Sequence, residues 1–157
     1  MANLTKHEFN PLERSGNNYL TWKMDIEIHL ESMGLEKTIK RENMATSQDR
    51  AKSMIFLRHH LDEGLKLEYL TVRDPCDLWE SLKRRYDHLK MINLPNARHE
   101  WQNLRLQDYK TVNDYNSAMF RITSQLKLCG EKITEGDMLG KNIFNLSCLK
   151  SIAAATV

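Results

Sequence analysis

Between residues 111 and 130 the apolar side chains Val112, Tyr115, Met119, Ile122, Leu126 and Cys129 recur at alternating spacings of three and four. That rhythm lays all six along one stripe of an α-helix. Thr111 supplies an N-cap hydroxyl, and Asp114 is placed to reach back to it in a capping box. Gly130 follows as a residue able to turn left-handed and stop the helix. No other stretch has start, stripe and stop so plainly written.

The same reading carries along the rest of the chain. Residues 1–16 read as an extended arm anchored by Phe9, Pro11 and Leu12, and the run Ser15-Gly16-Asn17-Asn18 reads as a turn. A helix over 18–33 carries the stripe Tyr19, Trp22, Ile26, Leu30 and Met33, with Gly34 as its stop. Leu35, Ile39 and Met44 cover a less regular link. The next helix starts at Ser47 and runs to about residue 61, with Ala51, Met54, Ile55, Arg58 and Leu61 on related faces. Gly64 interrupts, and Leu65, Leu67, Tyr69 and Leu70 form a short apolar segment. Asp74-Pro75 is a strong helix start, an N-cap acceptor before proline at the first helical position. Its helix buries Leu78, Trp79, Leu82, Tyr86 and Leu89. Pro95 opens another helix with Ala97, Trp101, Leu104 and Leu106. Residues 107–110 make a polar break. Thr134 and Asp137 offer a second capping box, to a helix with Met138, Ile143 and Leu146 that fades near Ser147. The tail SIAAATV has no polar face and reads as a truncated end.

Nothing alternates with period two over a useful length, so the expected fold is all-α with six or seven helices. Composition agrees with a packed chain: 157 residues, 41% hydrophobic and 28% charged, enough to bury a core without metal or disulfide support. The net charge of +2 gives no strong field toward nucleic acid or an anionic membrane. Cys76, Cys129 and Cys148 are odd in number and far apart, which suggests a reducing compartment, cytoplasmic or nuclear, rather than a disulfide framework. There is no apolar run of the length of a signal peptide or membrane span.

Sites of chemistry are sparse. His59 and His60 are adjacent and point about a third of a turn apart on a helix, so they do not converge on one ion. No zinc or phosphate-loop spacing and no nucleophile elbow occurs, so neither catalysis nor a cofactor is expected. Cys129 sits at the end of its helix where the dipole does not favour a thiolate. The densest cations are Lys83, Arg84, Arg85, His88 and Lys90, a basic helix over 83–90 diluted by Glu80 and Asp87. They read either as a phosphate-binding face or as the solvated side of an amphipathic helix. Trp22, Trp79 and Trp101 each fall on an apolar stripe and read as core anchors.

The residues also carry a family pattern. Asn18-Tyr19-x2-Trp22, Asp77-Leu78-Trp79-x2-Leu82-x3-Tyr86, Leu104-x-Leu106, Val112-x2-Tyr115 and Leu126-x2-Cys129-Gly130 follow one another in order. The succession resembles the capsid region of the Gag polypeptide of copia-type LTR retrotransposons, especially plant ones. The resemblance spans nearly everything from Asn17 to Leu146. It implies a helical capsid-like lobe over 17–108, after the arm 1–16, and an incomplete second lobe over 109–157, with a hinge at 107–110. The family's C-x2-C-x4-H-x4-C zinc knuckle is absent, as are its enzymes, so knuckle-based RNA packaging is not carried over. The chain resembles a shortened, stand-alone capsid-like protein adopted by a host.

The resulting expectation is a non-enzymatic protein that self-associates, or modulates assembly of related Gag proteins, through helix packing. Trp22, Leu78, Trp79, Leu82, Tyr86, Trp101 and Tyr115 would hold the fold. Val112, Met119, Ile122, Leu126, Met138, Ile143 and Leu146 would form the surface between chains. The competing expectations are an RNA-binding protein using Lys83, Arg84, Arg85 and Lys90, and an adaptor whose groove takes a peptide.

Overall fold

The computed structural model describes residues 9–155, Ile152 by its backbone alone, and these residues are helical with no named strand among them. The chain is all-α. In order it forms α1 (Tyr19–Ser32), a 3-10 turn (Glu36–Ile39), α2 (Ser47–His59), α3 (Glu63–Glu68), α4 (Pro75–Tyr86), α5 (Leu89–Asn103), a 3-10 turn (Leu106–Asp108), α6 (Val112–Leu128) and α7 (Glu135–Ala155). It divides into two compact units, one ending at Leu89 and the other beginning at Lys90.

In the first unit α1 turns Tyr19, Trp22, Ile26 and Leu30 inward, while the last member of its expected stripe, Met33, is the C-cap and stays exposed. The start of α4 is fixed as its sequence requires: the Asp74 carboxylate accepts from Cys76 N at 3.0 Å, with Pro75 at the first turn. That places Leu78, Trp79, Leu82 and Tyr86 in the core, where Trp79 stacks on Trp22 at 5.9 Å between ring centroids. Each fully buried leucine here stabilises the unit by ~1.5–3 kcal/mol. In α2 the cap is Thr46, accepting from Asp49 N. Its inward residues are Met54 and Leu57, whereas Ile55 is exposed. Met44 of the link and Leu67 of the short apolar segment are exposed.

The arm belongs to this unit from Phe9 onward; the portion 1–8 lies outside the described residues. Leu12 is fully buried and pairs with Leu61, its N–H donating to His60 O at 2.8 Å and its carbonyl accepting from Asp62 N at 3.0 Å. The Tyr86 hydroxyl donates to Arg14 O at 2.8 Å. Between them Gly16, at φ +76°, leaves room for the Tyr86 ring, which a Cβ there would meet at 2.4 Å. Pro11 is exposed, and its carbonyl accepts from the Asn18 amide at 2.8 Å.

The second unit begins one helix earlier than the expected division at 108/109. Helix α5 contains Pro95 in its interior instead of starting there. Ala97 is buried, and Leu94 and Trp101 pack against the same core cluster as Leu104, Tyr115, Met119, Ile122 and Leu126. Helix α6 begins at the Thr111 cap, whose hydroxyl accepts from Asp114 N at 3.0 Å. It ends at Gly130, φ +93°, where Glu131 N returns to Leu126 O in a Schellman closure. The expected hinge at 107–110 lies inside this unit, with Leu106 and Tyr109 packed on its core. Helix α7 opens on a reciprocal capping box: Asp137 N donates to the Thr134 hydroxyl, and the Asp137 carboxylate accepts from Thr134 N. It continues to Ala155, well past Ser147.

Candidate self-association surface

The predicted association stripe divides between core and surface. Met119, Ile122 and Leu126 are buried in the second unit's own core, at 3%, 2% and 1% exposure. They are not available to a neighbouring chain, because α5 and Leu104 supply cover that the helices 111–130 and 135–146 alone could not. Met138 is half-buried against the same cluster. Val112, Ile143 and Leu146 are exposed.

Sequence reasoning missed three further exposed apolar residues, Phe120, Leu139 and Phe144. Phe120 lies off the α6 stripe, one position beyond Met119. In α7 the most deeply buried of the described side chains is that of Asn145, not an apolar one. Its amide donates to the Tyr115 hydroxyl and to Leu104 O. With Asn145 inward, Leu139, Ile143 and Leu146, spaced four and three apart, follow one another along a different, exposed face. Phe120 and Leu139 line one groove of about 370 Å³ at the α6–α7 seam, with Asn116, Glu135 and Asn142 around it. Apolar side chains rimmed by amides and a carboxylate have the composition of a contact patch, and no arrangement suited to bond-making chemistry.

The basic helix 83–90 is corrected to two helices. α4 ends at Tyr86, and Lys90 stands on α5 in the other unit. Arg85 is ion-paired with Glu68 and lies over the Tyr86 ring at 5.2 Å. The hydrogen bond that Arg85 donates to the Glu68 carboxylate raises its pKa further. Arg84 is within reach of Ser81, and Lys83 is half-buried. Lys83, Arg84 and Arg85, consecutive on α4, do not share one helix face.

His60 is buried and stacked on Phe9 at 4.2 Å, with Nδ1 2.9 Å from Phe56 O, while His59 is exposed. Among the described residues no group of three or more His, Cys, Asp or Glu could hold a metal ion. Burial raises the pKa of Cys76, and likewise that of Cys129 against the opposing charge of Lys90. Raised thiols are weak nucleophiles. Among the described residues no helix is long and apolar enough to cross a membrane. No protein-family model, curated protein or solved structure matches the chain.

Proposed function

We propose that this chain is a non-enzymatic, capsid-like assembly protein that self-associates, or modulates assembly of Gag-type relatives, through the outer faces of α6 and α7. The observation carrying the reading is the exposed row Leu139, Ile143 and Leu146, with Phe120 beside Leu139 at the seam. Val112 adds exposed apolar surface at the start of α6. A second copy would cover this face by helix packing. At ~25 cal/mol per Å² of apolar surface, an interface of ~800 Å² per partner outweighs the weak repulsion of chains with net charge +2. The thiols and the membrane-free helices suit the reducing cytoplasm.

The test is molar mass by light scattering after size exclusion, with Leu139→Glu and Ile143→Glu made together. Both positions are exposed, so helicity and melting temperature should hold while the mass falls to that of one chain. An unchanged mass would sink the assignment of this face. A monomeric parent chain would sink self-association.

A further inference from the structure

We propose that the second unit also carries a nucleotide-binding groove, which takes a planar base together with its phosphate. The groove has a volume of about 540 Å³, within the range of small-ligand sites, ~300–1,000 Å³. It is lined by Trp101 and Phe144, by Lys132 and Lys141, and by Gly136 and Gly140. Trp101 is half-buried, so part of its indole reaches solvent; Phe144 is exposed. Those two rings supply the apolar and stacking surface that a base requires.

The cations are of two kinds. Lys132 is exposed and free to follow a phosphate. Lys141 is half-buried and fixed, its ammonium 5.5 Å above the Trp101 ring and donating to Gln102 O at 3.0 Å. An ammonium has three donors, so donors remain for an anion. Partial burial and the nearby Arg105 make this ammonium electrostatically unfavourable, a condition that a bound anion relieves. One carboxylate also lines the groove, that of Asp137, and it is already held by the Thr134 amide and hydroxyl. The phosphate therefore belongs at the lysines, away from that corner.

The glycines make the space. A Cβ on Gly140 would meet nothing within 4 Å, and one on Gly136 only the Thr134 hydroxyl at 3.5 Å. Packing within the chain does not require glycine at either position, and both cost helix stability relative to alanine. The second unit holds nine lysines and arginines against six aspartates and glutamates, a local balance that favours an anionic ligand.

The experiment titrates the full chain with adenosine monophosphate, inorganic phosphate and a twelve-residue oligoadenylate, following tryptophan fluorescence. Trp22 and Trp79 are buried at 1% and 7% exposure, so the signal reports Trp101. Saturable quenching is expected from the monophosphate and the oligonucleotide, and none from phosphate alone. Tighter oligonucleotide binding identifies a single strand as the source of the nucleotide; equal binding identifies the free nucleotide. Gly140→Glu should leave the melting temperature equal or higher while weakening binding roughly tenfold, as lost stacking does. Lys132→Ala, at an exposed site with no folding role, should flatten the oligonucleotide salt slope by about 0.7. No quenching by either nucleotide, or quenching that survives both variants, would overturn the proposal.

Discussion

The amide of Asn145 lies 2.7 Å from the hydroxyl of Tyr115, and together they tie α7 to α6 beside a largely apolar core. The same amide reaches Leu104 O at 3.4 Å. Removing one partner from a buried pair leaves the other desolvated and unsatisfied. Asn145→Ala should therefore destabilise the second unit by about 1–3 kcal/mol. Adding Tyr115→Phe should cost less than the sum of the two single changes, because the stranded hydroxyl is gone. Urea denaturation of the four chains measures the coupling, and strict additivity would show that the bond does not matter.

Trp79→Ala should cost roughly 3–5 kcal/mol, the range for deleting a large core aromatic. The ring stacks on Trp22 and belongs to the first unit's core cluster. A loss below about 0.5 kcal/mol would contradict that placement.

Alkaline pH should destabilise the first unit through Tyr19. Its phenol pKa is raised, first by burial and then by the Asp87 carboxylate. A group with a raised folded pKa contributes stability that is complete below its unfolded value, about 10. That contribution is lost as pH climbs from there toward the folded value. Tyr19→Phe keeps the ring and removes the titration. Its melting temperature should match the parent at pH 8 and exceed it at pH 11. Parallel curves over the whole range would rule out this source of alkaline loss.

Pro95→Ala should stabilise the second unit by up to about 3 kcal/mol. Proline inside α5 withholds an N–H from the carbonyl of Met91, four residues earlier. Hydrogen exchange on residues 89–94 should slow in the variant. Unchanged exchange would mean that this first stretch of α5 is held by something other than the helix ladder.

Caps and stops were the most legible features of the sequence. Thr111, Asp74-Pro75 and the Thr134/Asp137 pair each start a helix by local hydrogen bonds, which neighbours in sequence suffice to determine. What could not be read was which apolar residues receive cover. The stripe Met119, Ile122, Leu126 marks an inward face, but the strand of sequence that covers it, around Ala97 and Leu104, lies before the break at 107–110. Pro95 hid this by reading as a start. Helix α7 is apolar on several sides, so periodicity could not show that Asn145 faces inward and Ile143 outward. The exposed Phe120 and Leu139 left no signal beyond being apolar off the stripe.

The fastening of the amino-terminal arm sets an order of events during synthesis. Leu12 needs the backbone around Leu61, and Arg14 waits for the hydroxyl of Tyr86. Until Tyr86 has left the ribosome, 72 residues after Arg14, the second fastening of the arm cannot form. At ~5–20 residues per second that interval lasts several seconds. Before Trp79 emerges, the Trp22 face of α1 lacks the ring that stacks on it in the finished unit.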